Sequence, residues 1–387
     1  MSYRISILEF SKHNEIVWSF LKVILSKEAQ VDVFLNEFVY HQLFDLHENP
    51  KIHWYIKPET QSSSEFITQH RAHLLTRDRL LFTSVPPKDL KMFEDQELAR
   101  LSSLLIYDLN YYASEFHDIN EGRNTLEVIK GQLMSKRKYI RTAFKYVNQI
   151  LVPSSKILDY AKQNNIDSID GALNVLILGK LKKRKIKKTI KIVIPGSVST
   201  SRKNYTAIFK ALYDLNDSHL RQSIKVTFLG LSDEKQAGRM IQKLAEDMKD
   251  HIEIEHFPTF VPQRNFNKIM KKSNFLLLPI AEKKESGEVH ELYGFSTVSG
   301  CIADMVKFGK PALLPEFYPL EESLESVCKR YSSGEQLSEL LKDWIFNKSF
   351  QKISLEGFNE FLPEAQAEEF FKTLQPNKQS SRVLNIA

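Results

Sequence analysis

Short apolar runs alternate with amphipathic stretches along most of the chain. In the first half the runs predict strands at Arg4–Leu8, Val31–Leu35, His53–Ile56, Arg79–Thr83, Ser103–Tyr107 and Gln149–Val152. In the second half they predict strands at Lys191–Ile194, Lys225–Leu229, Ile252–His256, Phe275–Pro279 and Ala312–Leu314. Stretches with a 3.6-residue period lie between them, among them Val17–Ser26, Ile157–Gln163 and Asn265–Lys272. Near-continuous apolar strands separated by helices predict parallel sheets covered on both faces. The pattern occurs twice, so the fold class is α/β with two doubly wound domains. The expected division is a first domain over 1–165, a basic linker over 166–189, a second domain over 190–350, and a returning helix near Pro363–Leu374 with a polar tail over 351–387.

Two strand–loop–helix units in the second half carry the densest signals. In the first, a strand ends at Gly196. A loop Ser197–Lys203 follows, and then a helix with Tyr205, Ile208, Phe209 and Leu212 on one face behind Asn204 as N-cap. In the second, Tyr293–Gly300 leads into a helix that starts near Ser296 or Thr297, with Val298, Ile302, Met305 and Val306 on one stripe. Gly309 stands at its C′ position and Pro311 blocks continuation. A helix N-terminus offers unpaired N–H groups and partial positive charge, which suits a phosphate or diphosphate. Arg202 and Lys203 add a fork and a point charge beside the first.

Composition narrows the class. Apolar residues make up 42% of 387 and charged residues 26%, enough for two cores and too balanced for a disordered chain. The net charge of +6 is concentrated in Lys180–Lys188, where seven of nine residues are basic, so a basic field for nucleic acid is not expected. That run is a candidate peripheral contact with anionic lipid headgroups, or an exposed linker. Two cysteines, no disulfide framework, no leader pattern and no apolar stretch of about 20 residues predict a cytoplasmic protein, with peripheral contact at the inner membrane face as the expectation if the basic run meets lipid.

In order along the chain, Lys203-Asn-Tyr-Thr-Ala-Ile-Phe-Lys-Ala211, Val226-Thr-Phe-Leu-Gly230, Phe257–Val261 with Leu276–Pro279, and Tyr293-Gly294 with Gly309-Lys-Pro311 resemble the nucleotide-sugar domain of GT-B glycosyltransferases, in particular the family-4-like group. Leu104–Leu109 and Gln149–Ser155 resemble two strands of the acceptor domain more loosely. The chain departs from the family at three points. It has no glycine before Gly122, Tyr107 stands where the family has histidine, and the acidic pair is broken. Ser299 or Asp304 falls at the second acidic position, depending on which end is counted from, and Glu288 or Glu291 at the first.

The resemblance implies two Rossmann-like domains facing a cleft, and transfer of a hexose from a nucleoside-diphosphate sugar to a glycan or lipid-linked acceptor. The nucleotide sugar is a co-substrate, and no other cofactor is expected. No D-x-D motif supplies metal-binding carboxylates, so charge on the leaving diphosphate falls to cations and N–H dipoles. The donor-binding candidates are Gly196, Ser197, Arg202, Lys203, Phe260, Val261, Tyr293, Gly294, Ser296, Thr297, Ser299 and Asp304. The catalytic candidates are Asp108, His13 and Glu291, with His117 a weaker one. The alternative reading is a glycosyltransferase-like partner subunit that binds nucleotide or glycan without turnover.

Overall fold

The computed structural model describes residues 3–114, 136–181, 188–218, 222–232, 234–248, 252–286 and 289–375. The strands are β1 (Ile5–Glu9), β2 (Val31–Asn36), β3 (Ile52–Lys57), β4 (Arg79–Ser84), β5 (Ser102–Leu105), β6 (Gln149–Val152), β7 (Gly171–Ala172), β8 (Thr189–Pro195), β9 (Ser223–Leu231), β10 (Ile252–Phe257), β11 (Phe275–Leu277), β12 (Lys283–Ser286), β13 (Val289–Leu292), β14 (Ala312–Pro315) and β15 (Cys328–Tyr331). The first seven form one parallel sheet in the order β3-β2-β1-β4-β5-β6-β7. A second parallel sheet runs β10-β9-β8-β11-β14-β15. Both follow the 3-2-1-4-5-6 order of a Rossmann sheet, with the strand order reversing between β1 and β4 and between β8 and β11. The antiparallel hairpin β12–β13 stands apart from both sheets.

The strands form because their residues bury on both faces. All five residues of β1 and all six of β4 are buried, as a sheet covered by helices on each side requires. The helix Thr206–Asn216 buries Ile208, Leu212 and Leu215, and Asn204 Oδ1 accepts its first amide, from Thr206 N at 3.1 Å. The helix Gly300–Phe308 stops at Gly309, whose φ of +56° is the left-handed turn that closes a helix cheaply with glycine.

Four strands carry no apolar run and escape a pattern reading. β7 is two residues long, yet it pairs with β6 and carries the first sheet past 165 to Ala172. The edge strand β15 reads Cys-Lys-Arg-Tyr, and β12 reads Lys-Lys-Glu-Ser beside β13. The two domains share one continuous apolar core, in which Trp18, Phe20 and Leu176 join Ile302, Met305 and Phe361. The helix Pro363–Thr373 lies on the first domain. Phe370 packs 5.4 Å from Phe20 between ring centroids, and Arg79 Nε and the Tyr3 hydroxyl both donate to Leu374 O.

Candidate functional site

Ligands of open α/β sheets gather beyond the carboxyl ends of the strands where their order reverses. Both reversal points open here onto one cavity of about 460 Å³. Ser11, His13, Ser84, Tyr107 and Asp108 line it from the first domain, and Arg202, Lys284, Tyr293, Thr297 and Gly300 from the second.

The Gly196 turn precedes Arg202 in the same loop and does not itself line the cavity. Gly196 has φ +84°. A Cβ on Gly230 would fall 2.3 Å from Gly196 O, so only glycine lets β9 pass this close. A Cβ on Gly196 would sit 3.4 Å from Lys203 Nζ and 3.7 Å from Cys301 Sγ. Gly196, Lys203 and the first turn of Gly300–Phe308 therefore meet at one place. The Lys203 ammonium is turned inward: it donates to Pro195 O at 2.6 Å and Gly196 O at 3.0 Å, and the residue is only 7% exposed. Its charge braces the turn, while Arg202 lines the cavity. Among the described residues, no hydrogen bond or ion pair engages the Arg202 side chain. Burial raises the Tyr293 hydroxyl to about 12, against the opposing pull of Arg202.

Ser197 lies in this turn but does not line the cavity. The serine-rich loop after it has a different partner from the phosphate that its sequence suggests. Ser199 Oγ, Thr200 N, Thr200 Oγ1 and Ser201 Oγ all donate to the Glu234 carboxylate, at 2.6 Å for Ser199 and 3.1 Å for Thr200 N. Those donors hold the Glu234 carboxyl down at about 2. No sequence signal marks Glu234, which lies 33 residues beyond Ser201.

The second unit starts its helix later than its cap formers suggest, at Gly300 behind Ser299. Tyr293–Thr297 is instead a tight turn. Gly294 has φ +86°, its N–H donates to Thr297 O at 2.7 Å, and Leu292 N donates to Ser296 Oγ at 2.7 Å. Ser296 and Thr297 are buried. Their side chains are consumed by this turn and by Asp108, so neither caps the helix. Ser299 N meets the Tyr318 hydroxyl at 3.5 Å. Asp304, half-buried on the helix, does not line the cavity. Burial raises its carboxyl to about 7; Lys307 and Lys203 oppose that rise and Glu15 adds to it.

On the first-domain side, the His13 ring stacks on Tyr107 with centroids 4.9 Å apart, and its Nδ1 lies 3.4 Å from Glu15 Oε1. Burial lowers the imidazole's pKa, but Glu15, Glu9 and Asp108 outweigh it and leave a net rise. Glu9 lies beneath, fully buried, accepting from Ser11 N, Thr83 Oγ1 and Ser84 Oγ at 2.6–2.8 Å. Burial also raises the Glu9 carboxyl. Pattern reading missed Glu9 and Glu15; their position flanking the loop after β1 was the available signal. The Tyr107 hydroxyl is buried with no hydrogen-bond partner among the described residues.

Asp108 joins the domains. Its Oδ1 accepts from Lys284 Nζ at 2.7 Å and Thr297 Oγ1 at 3.0 Å, and its Oδ2 accepts from Ser286 Oγ at 3.0 Å. Glu291 is placed beside the cavity rather than in it. Fully buried, it accepts Asn110 N at 3.2 Å and Tyr111 N at 2.7 Å, capping the short helix Leu109–Ala113 from the other domain. Burial raises its carboxyl to about 8; Ser296 and the two amides oppose this and Asp108 adds to it.

Phe260 is 53% exposed, with its ring 6.0 Å from that of Phe38 across the cleft, and Val261 beside it is buried. Neither lines the cavity. Glu288, His117 and the 182–187 part of the basic run lie outside the described residues. Among the described residues no cluster of acidic, histidine or cysteine side chains could hold a metal ion, and no helix is long and apolar enough to cross a membrane.

No protein-family model and no curated protein sequence matches the chain. Solved structures do. Anabaena Alr3699/HepE in complex with UDP is similar over 96% of this chain and 99% of its own, at 10% identity and a TM-score of 0.61. The pneumococcal O-GlcNAc transferase GtfA in complex with UDP and GlcNAc is similar over 96% of this chain and 98% of its own, at 9% identity and a TM-score of 0.58. The UDP-GlcNAc 2-epimerase from Neisseria meningitidis bound to UDP-GlcNAc is similar over 97% of this chain and 100% of its own, at 13% identity and a TM-score of 0.52. At such identities the likeness establishes the architecture: the chain has the GT-B fold, two Rossmann-like domains facing a cleft.

Proposed function

We propose that the protein is a glycosyltransferase that moves a hexose from a nucleoside-diphosphate sugar to a glycan or lipid-linked hydroxyl. The observation that carries this reading is that Arg202 and Gly300, at the start of Gly300–Phe308, line a cavity shared by both domains, while the Gly196 turn and the Lys203 ammonium meet Cys301 of the same helix. Two structural neighbours crystallised with UDP support a nucleotide donor, and GtfA's transferase activity supports group transfer. The epimerase shows that the fold alone does not choose the reaction.

In this reading the diphosphate lies against Arg202 and the first turn of Gly300–Phe308. Negative charge grows on the leaving diphosphate as the sugar departs. Arg202, and the amides of Gly300 and Cys301, stand preorganised to take it up without a metal. Lys203 and Glu234 hold the turn in shape from behind. The hexose then faces His13, Tyr107 and Asp108. His13, carrying a raised pKa, holds a sugar or acceptor hydroxyl, and Asp108 orients the acceptor. Glu291 fixes the backbone of Asn110 and Tyr111 rather than touching substrate. Phe260 and Phe38 flank the nucleobase at the mouth of the cleft. The protein works in the cytoplasm, with the basic run at 180–188 as its contact with a membrane that carries the acceptor.

A thermal-shift screen against uridine, guanosine and adenosine diphosphates and their sugars identifies the donor, because a ligand selective for the native state raises its stability. Labelled donor with candidate acceptors then reads transfer. A donor that stabilises the protein without product under any acceptor supports the non-catalytic partner subunit. Absence of any nucleotide-dependent shift removes the donor-site reading altogether.

A further inference from the structure

Asp108 is expected to meet an acceptor hydroxyl, yet it is already engaged. The hairpin β12–β13 explains why. Lys284 pairs with Glu291 across the two strands, so their side chains share one face of the hairpin, and Ser286, two residues from Lys284, shares it too. That face is turned on the first domain. Lys284 and Ser286 donate to Asp108, while Glu291 takes the amides of Asn110 and Tyr111. Lys284 and Asp108 are 22% and 26% exposed, and both line the cavity with Arg202. Lys284 Nζ also stands 5.9 Å from the Tyr293 ring centroid. The ammonium is therefore shared between the interdomain clasp and the space assigned above to the diphosphate.

An ammonium carries three donors on a flexible stem, and its attraction scales with the charge it faces. A diphosphate bears more negative charge than one carboxylate. With Lys203 turned inward, Lys284 and Arg202 are the lysine and arginine lining this cavity. We propose that Lys284 is a donor-binding residue that also governs Asp108: the diphosphate of a nucleotide draws its ammonium away from Asp108 Oδ1 and leaves that carboxylate open to the acceptor hydroxyl. Glu291, on the same hairpin face, keeps the Asn110–Tyr111 backbone in place while the charge changes partner. The inference rests on the donor-site reading and adds an order of events, donor before acceptor.

A calorimetric cycle with UDP, and with GDP and ADP in parallel, tests it on the full chain at fixed low salt. Lys284→Met weakens nucleotide binding about tenfold or more, as loss of a charge-assisted contact does. Asp108→Asn tightens binding several-fold, because the competing carboxylate charge is gone. The decisive value is the double variant, which binds as weakly as Lys284→Met alone. In an Arg202→Ala background the gain from Asp108→Asn persists, since Arg202 does not share the carboxylate. Thermal melts check folding, and Lys284→Gln replaces the methionine variant if that one melts without cooperativity. An Asp108→Asn gain that survives without Lys284 reflects general repulsion and overturns the proposal, as does no gain at all. Wild-type protein that binds none of the three nucleotides overturns the donor-site reading together with it. Binding with an additive cycle overturns this proposal alone.

Discussion

Gly230→Ala tests the geometry of the Gly196 turn with one methyl group. Its Cβ would lie 2.3 Å from Gly196 O, 2.5 Å from Gly196 C and 2.8 Å from Ser197 N. Comfortable heavy-atom contacts begin near 3.3–3.5 Å, so the turn must retreat by roughly 1 Å. It is not free to do so. Gly196 N donates to Leu229 O at 3.0 Å, Val198 N to Leu231 O at 2.8 Å, and Lys203 Nζ to both Pro195 O and Gly196 O. Overpacking of this kind costs about 1–3 kcal/mol. For a domain of this size that lowers the melting temperature by roughly 2–10 °C. A misplacement of about 1 Å at a binding element lowers affinity or rate by on the order of 100-fold. Differential scanning fluorimetry and nucleotide titration on the same sample read both effects. Gly300→Ala is the stability control: its Cβ meets nothing within 4 Å, so its melting temperature stays at or slightly above wild type. Unchanged nucleotide affinity in Gly230→Ala, beside the lowered melting temperature, would refute the assignment of this turn to the diphosphate.

Three further outcomes concern Lys203, Glu291 and Glu234. Lys203→Met strips the ammonium from two carbonyls and lowers stability by about 1–3 kcal/mol; nucleotide affinity falls about tenfold with it, and Lys203→Arg restores neither, because a fork does not fit a nearly closed site. Both are read by denaturant melts and calorimetry. Glu291 has a folded value near 8 against an ordinary 4.5, so the native state holds a proton that the unfolded chain has lost. Its contribution is therefore present at low pH and lost as pH rises through about 8. The melting temperature of wild type relative to Glu291→Gln falls between about pH 4.5 and 8, and a rising difference contradicts the assignment. Glu234, held near 2, has the opposite sign: its contribution is present above its ordinary value and lost as pH falls toward 2. Glu234→Ala flattens that acid limb and speeds hydrogen exchange at the Thr200 amide; unchanged exchange there would remove Glu234 as the brace of the loop.

The repeated strand–helix pattern was legible without coordinates, because near-continuous apolar strands and helical stripes are short-range properties. The strand cores at Val31–Leu35, Gln149–Val152 and Ile252–His256, and the helix stop at Gly309, lie where side-chain period and backbone sterics put them. The same local logic named Gly196, Arg202 and Asp108 as candidates. It failed where a group's partner comes from far along the chain. Ser199–Ser201 carry no local mark of their partner until Glu234 is folded against them. Lys203 reads as a ligand cation until the carbonyls of Pro195 and Gly196 close over it. Ser296 and Thr297 read as helix caps until the turn at Gly294 and the carboxylate of Asp108 claim them. The polar hairpin β12–β13 has no apolar run to announce it; it is held by donors and acceptors that another domain supplies. Sequence fixes where donors, acceptors and apolar faces occur along the chain. Which donor meets which acceptor was decided by tertiary structure, because a buried polar group must find a partner and that partner can lie 295 residues away, as Leu374 O does from Arg79 Nε.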